Sequence, residues 1–192
     1  MHSTDALTAA EFEALLTLAR DAVVRVLLPA ATGAPPVLTA RCTLPGACFV
    51  TLRRGTALRG CIGSLEPRRA LHEDVVANAW GAAFRDPRFA PLDASEVPGT
   101  TLDISVLAAP RSLVFSDEDE FYTLLVPGED GLIIAHQGRR ATFLPSVWAQ
   151  LPEPRRFVAE LRRKAGIAAD VPLTALSVQR YATAHSPTRA LA

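Results

Sequence analysis

Residues 47–63 read ACFVTLRRGTALRGCIG, and this stretch decides the fold class. ACFVTL, residues 47–52, is rich in β-branched and aromatic side chains and predicts a strand. Arg53-Arg54-Gly55 reads as a turn, and residues 57–63 as a second strand. So short a connection makes the pair an antiparallel hairpin. A turn centred on Arg54-Gly55 sets Cys48 opposite Cys61, whereas a slip of one residue separates them.

Working outward, Ser3-Thr4-Asp5 precede a helix over 11–28, with Leu15, Leu18, Ala22 and Val26 at helical spacing and Pro29 at its end. Residues 30–36 (AATGAPP) are a loop. A second helix, 69–84, enters through Glu66-Pro67 and stops at Asp86-Pro87, because a residue before proline avoids helical geometry. Its inward stripe is Leu71, Val75, Asn78 and Ala82, so the amide of the chain's single Asn must find partners among apolar neighbours. TLDISVL, 101–107, alternates like a strand. Residues 113–115 read as a short edge, 118–125 as a short helix and 132–135 as a strand ending in a Gln137-Gly138 turn. Leu144-Pro145 opens a helical turn. The last helix, 155–165, is capped by Gly166 and turns Phe157, Leu161, Lys164 and Ala165 inward. A final strand covers 176–181, and HSPTRALA is expected to fray. Hairpins mixed with separate helices predict an α+β fold, mainly antiparallel, without repeats or linkers.

The 192 residues suit one domain or two small subdomains. With 20 basic and 20 acidic residues the net charge is zero, which removes the general electrostatic warrant for nucleic-acid binding. A local patch stays open, because Arg53, Arg54, Arg59, Arg68 and Arg69 cluster around the hairpin. Lysine is nearly absent: 19 of the 20 basic residues are Arg and only Lys164 is Lys, a bias that reads as a GC-rich genome. Three cysteines without C-x-x-C or zinc-like spacing predict reduced thiols and no metal. The opening MHSTDALTAAEFEALL has no signal-peptide pattern, and no apolar run is long enough to cross a bilayer. A cytoplasmic protein with no membrane partner is the expectation.

The densest chemistry lies at LRGCIGS, residues 58–64. Gly60 and Gly63 flanking Cys61 imply close backbone approach. Arg59 beside Cys61 favours the thiolate, which makes Cys61 a candidate nucleophile or redox thiol; the alternative is a small buried hydrophobe. A nucleophile needs a base. His2 and His185 fall in termini expected to be mobile, His72 reads as a surface residue, and His136 ends an apolar strand facing a candidate cleft. No Ser/His/Asp spacing stands out. Glu73-Asp74 and residues 117–120 read as solvated acidic runs. Asp86-Pro87-Arg88-Phe89 reads as a turn capped by Asp86, with Arg88 either paired locally or binding an anion. Lys164 is either an amine reaching the last helical carbonyls or, if buried, a base.

LRGCIGSLEP, then DVVANAWGAAFRDPRFAPL and LDISVL, resemble the AMMECR domain family, also known as AmmeMemoRadiSam system protein A. The likeness continues through ATFLPSVWAQLP, FVAELRRKAGI and a closing RY, over residues 10–182. It implies a single α+β AMMECR domain of two unequal lobes, the larger holding both termini, with a cleft between them. Arg59, Gly60, Cys61, Ile62 and Gly63 match its signature. Asp86, Arg88 and Phe89 match a second motif, and Ser105, Leu107, Leu144, Pro145, Lys164 and Gly166 match further ones. Arg140-Ala141-Thr142 departs from the family's G-R-G-T, and the C-terminal aromatic-acidic ending is weak. The resemblance brings no settled activity and no cofactor. It carries a suggested role in RNA modification and partnership with Memo-like and radical-SAM proteins. Two readings follow: a small enzyme or enzyme component centred on Cys61, with Arg59 as electrostatic partner and Gly60, Gly63, Asn78, Arg88, His136 and Lys164 around the ligand; or a non-catalytic module docking on those partners.

Overall fold

A computed structural model describes residues 7–29 and 33–192. The chain divides into two compact units, one of residues up to Leu107 with Ala184–Ala192, the other Ala108–Thr183. Each has its own hydrophobic core. The α+β class and the antiparallel pairing hold in both.

In the first unit, helix α1 (Ala9–Leu27) starts at a capping box: Thr8 Oγ1 accepts the Glu11 N–H, and Glu11 accepts the Thr8 N–H. The expected cap at Ser3-Thr4-Asp5 lies outside the described residues. The buried stripe is Phe12, Leu15, Leu16, Ala19, Val23 and Val24, while Val26 is 55% exposed. The expected stripe shared Leu15 but drifted off this face, because apolar side chains surround most of the helix and spacing alone does not centre it.

A one-turn helix α2 (Ala40–Thr43) leads into the hairpin strands β1 (Pro45–Arg54) and β2 (Ala57–Gly63). The turn is Gly55-Thr56, one residue later than expected, with Gly55 at φ 57°. A bulge between Leu52 and Arg53 shifts the register again. Thr51 therefore faces Cys61, and the Cys48 carbonyl accepts the Ser64 N–H at 2.9 Å. The expected Cys48–Cys61 pair is ruled out by this register. Next come β3 (Arg69–Ala70), helix α3 (Leu71–Phe84) and β4 (Thr100–Leu107). The tail does not fray: β9 (Thr183–His185) and β10 (Arg189–Ala190) both pair with β4, and Leu191 is fully buried. The sheet runs β10-β4-β1-β2, with β2 at its edge.

Alternation splits this sheet into two faces. Cys48, Val50 and Leu52 of β1, Gly60 and Ile62 of β2, and Leu102, Ile104 and Val106 of β4 join the core under α1 and α3. Phe49, Thr51, Cys61, Asp103 and Ser105 lie on the other face.

The second unit contains β5 (Arg111–Ser112), α4 (Glu118–Leu124), β6 (Gly131–His136), β7 (Arg139–Phe143), α5 (Pro154–Ala165) and β8 (Ser177–Tyr181), with sheet order β5-β8-β6-β7. The edge expected at 113–115 sits two residues earlier. Strand β7, which the sequence did not suggest, is zipped to β6 through a turn in which Gln137 (φ 46°) and Gly138 (φ 78°) are both left-handed. Ala141, where the family has Gly, is extended and faces Ile134, so this position needs no glycine. Phe157 and Leu161 of α5 are buried, with Trp148 stacked on Phe157 at 3.8 Å.

Candidate functional site

Strand β2 has no strand partner beyond it, yet its polar edge at Cys61 is satisfied. The Cys61 N–H donates to Asp86 Oδ2 at 2.8 Å, and Arg88 Nη2 donates to the Cys61 carbonyl at 3.2 Å. Asp86 also accepts the Arg88 N–H at 3.1 Å and Arg88 Nε and Nη2 at 2.9 and 2.7 Å. An Asp–Arg pair thus takes the place of the missing strand and closes an edge that would otherwise pair with another chain. Arg88's bonds, helped by the Cys61 N–H, hold the buried Asp86 carboxyl well below the usual carboxylate range. Of the two roles expected for Arg88, local pairing is the observed one.

Arg59, expected to be Cys61's electrostatic partner, makes its ion pair with Glu96. Its Nε and Nη2 donate to the two oxygens of Glu96 at 2.9 Å each, and Nη2 also reaches the Ala90 carbonyl at 2.9 Å. Arg59 pulls the Glu96 carboxyl down to about 2. This fork-to-fork pair joins residues 37 apart in sequence, which no local pattern announces. Gly60 is required by close approach: a Cβ there would collide with the Ala82 carbonyl of α3. Gly63 lies under the Phe49 ring in the same way.

Asn78 finds its partners on the helix side, donating to Asp74 Oδ2 at 2.9 Å and to the Cys48 carbonyl at 3.1 Å. Asp74 corrects the expectation of a solvated run, for it is 1% exposed and is the hub of a buried network. It accepts the Cys48 N–H at 3.0 Å, the Ser64 hydroxyl at 2.7 Å and the Cys48 thiol at 3.4 Å, and pairs with Arg69 Nε at 3.0 Å. Burial pushes the Cys48 thiol far above its ordinary value. Cys48 is packing, not chemistry.

The thiol of Cys61 lies on the other face and is only half-buried. Thr51 Oγ1 donates to its sulfur at 3.6 Å, and Thr51 in turn faces Asp103. Burial raises the Asp103 pKa, opposed by Arg53 and His185. Ser105 Oγ and His185 Nδ1 are 2.9 Å apart, so His185, expected to be mobile, is held on β9. His185 lies three strands from Cys61, about 14 Å at strand spacing, and the two do not form a dyad.

His72 Nδ1 meets the Cys42 carbonyl at 3.0 Å. In the second unit, His136 Nδ1 meets the Ala175 carbonyl at 3.2 Å. Lys164 is exposed rather than inward, donating to the Thr142 carbonyl at 3.0 Å and lying 5.1 Å from the Phe143 ring centre. The five arginines near the hairpin each lie within 4 Å of a carboxylate: Arg53 with Asp103, Arg54 and Arg59 with Glu96, Arg68 with Glu66, Arg69 with Asp74. Among the described residues no group of three or more His, Cys, Asp or Glu side chains is placed to hold a metal, and no helix is long and apolar enough to cross a membrane.

The AMMECR1 family model matches residues 16–186, a span that includes every residue of this sheet-face row. The chain belongs to the AMMECR1 family. Protein MK0488 of Methanopyrus kandleri is 34% identical over 172 residues, covering 85% of this chain and 81% of its own length. Protein Ta0236 of Thermoplasma acidophilum is 35% identical over 114 residues; that match spans 59% of this chain and only 55% of Ta0236. The crystal structure of the uncharacterized protein PH0010 from Pyrococcus horikoshii superimposes with a TM-score of 0.73 at 28% identity, covering 95% of this AMMECR1 chain and 96% of PH0010. These names state no activity, so chemistry must be argued from the site.

Proposed function

We propose that this AMMECR1-family protein is a small enzyme or enzyme component acting on a polar small molecule at the sheet face that carries Cys61. The observation that supports it is the row of a half-buried thiol, two hydroxyls, a carboxylate with raised pKa and an imidazole on the sheet face opposite the α1/α3 core: Cys61, Thr51, Ser105, Asp103 and His185. Perturbed carboxyls beside nucleophilic side chains cluster at functional sites. Arg59, Gly60 and Arg88 act here as the frame around Cys61, and Asn78 holds the neighbouring strand at Cys48. The test is iodoacetamide labelling of the native protein across pH, read by peptide mass spectrometry. Cys61 should label while Cys42 and Cys48 stay protected, and Thr51→Val, which removes the hydroxyl at its sulfur, should change its labelling rate. Labelling of Cys61 only on unfolding overturns the reading.

A second reading keeps its own support: the signature's charged residues are consumed by internal pairs, as in a rigid docking module. Its partners would be Memo-like and radical-SAM proteins. Pull-downs with both, unaffected by Cys61→Ser but lost on changes at Asp103 and His185, would favour it.

A further inference from the structure

Helix α3 has an outer side that its own unit leaves open. Val76, Ala77, Trp80 and Gly81 of α3, Ala22 of α1 and Ile62 of β2 line an apolar hollow of ≈ 520 Å³, with Arg85 also at its wall. The shape follows from the residue sizes. Ala22, Ala77 and Gly81 form a low floor between the taller Ile62, Val76 and Trp80. A Cβ on Gly81 would lie 3.2 Å from Ile62 Cγ2, so that floor is already in contact with the signature strand. Val76 is 37% exposed and Trp80 half-buried, an apolar surface wetted at its mouth. A volume of this size matches a ligand rather than a single side chain.

The charge at the hollow has one sign. The Arg85 guanidinium lies 4.7 Å from the centre of the Trp80 ring. Among the described residues it meets no carboxylate, unlike Arg53, Arg54, Arg59, Arg69 and Arg88 of the same unit. Stacking holds the guanidinium plane while leaving its edge donors free for a planar, bidentate anion.

We propose that this hollow binds a small amphiphilic carboxylate, its apolar body against Ile62, Val76 and Trp80 and its carboxylate on Arg85. Ile62 alternates with Cys61 along β2 and projects to the opposite sheet face, so this site stands or falls independently of the thiol site.

The probe is 4-phenylbutyrate, compared with its uncharged amide, titrated into the full chain by calorimetry and tryptophan fluorescence. The acid should bind more tightly than the amide by about tenfold, the worth of one charge-assisted bidentate contact. Arg85→Gln removes an exposed side chain and should weaken the acid by about tenfold while leaving the amide unchanged. Ala77→Leu, which fills the floor, should abolish binding of both. No binding of the acid at millimolar concentration overturns the proposal. So does equal affinity for acid and amide, or indifference to Arg85→Gln. An acidic amphipathic peptide that binds where the small acid does not would overturn it in favour of a protein partner.

Discussion

The two hairpins are built in opposite ways. The β6–β7 hairpin is regular: a two-residue turn of left-handed Gln137 and Gly138, unbroken register and an outer strand met by exposed side chains. The β1–β2 hairpin is bulged, has glycines pressed against α3 and Phe49, and has its outer edge sealed by the buried Asp86. The first follows ordinary turn chemistry and pairs without interruption. The second is also held by α3, by Asp86 with Arg88 and by Glu96, and these contacts fix the strand that carries Cys61. Such over-determination is what a residue needs if its position, and not merely its burial, matters.

The largest contrast should come from glycine. Gly60→Ala forces a methyl into the Ala82 carbonyl, a backbone atom that cannot swing away. A cost of about 3 kcal/mol is expected, at the upper end for overpacking. Gly138→Ala meets no neighbouring atom and is strained only by its φ of 78°, for about 1 kcal/mol. Urea midpoints of the two variants, followed by circular dichroism, measure the difference. Equal costs would mean that the α3 contact at Gly60 relaxes freely.

Next in size is the edge clamp. Asp86→Asn keeps an acceptor for the Cys61 N–H but removes the charge that meets Arg88. About 2 kcal/mol should be lost, since hydrogen bonds to charged groups exceed neutral ones and Arg88 is half exposed to water. Proton exchange at the Cys61 amide, read by hydrogen–deuterium mass spectrometry, should accelerate in this variant more than exchange in β7. Unchanged exchange would show that the edge is sealed by something other than Asp86.

Much of this was legible in the sequence, and the failures have a common cause. The helix α3 stripe, the Asn78 amide, the Asp86 turn and the existence of the β1–β2 hairpin follow from local periodicity and turn chemistry; strand β7 does not. Strands β9 and β10 do not, because two- and three-residue strands have no alternation of their own and exist by pairing with β4. Asp74 looked solvated because an acidic pair at a helix start is usually exposed. Its burial depends on Cys48 and Ser64, which reach it only once the hairpin register is set. That register turned on a one-residue shift of the turn and a bulge, neither of which composition encodes. The Arg59–Glu96 pair and the Ser105–His185 contact span 37 and 80 residues and are invisible to any window.

The Arg59–Glu96 pair gives the acid limb. Glu96 is lowered from its ordinary 4.5 to about 2 in the folded chain, chiefly by Arg59. A depressed folded pKa stabilises above the unfolded value and is lost as pH falls through the folded one. Unit stability should therefore decline from about pH 4.5 towards pH 2, with Asp86 adding in the same direction. Glu96→Gln should be less stable at pH 7 and show a shallower decline between pH 4.5 and 3 in urea midpoints. An identical slope in both proteins would remove Glu96 from the acid response.

The smallest effect is expected at Lys164, and it closes the comparison between the two edges. Its ammonium meets the Thr142 carbonyl of β7, as Arg88 meets the Cys61 carbonyl of β2. The chemistry at both carbonyls is a cation donating to a strand edge. Only the setting differs: Asp86 is buried beside Arg88, whereas Lys164 stands in water, where Thr142 can be solvated without it. Lys164→Ala should cost less than about 0.5 kcal/mol, the scale of an ordinary surface change. Chemical denaturation at low and high salt is the check. A loss comparable to that of Asp86→Asn would mean that β7's edge depends on its cation as β2's depends on its clamp, and the contrast between the hairpins would fail.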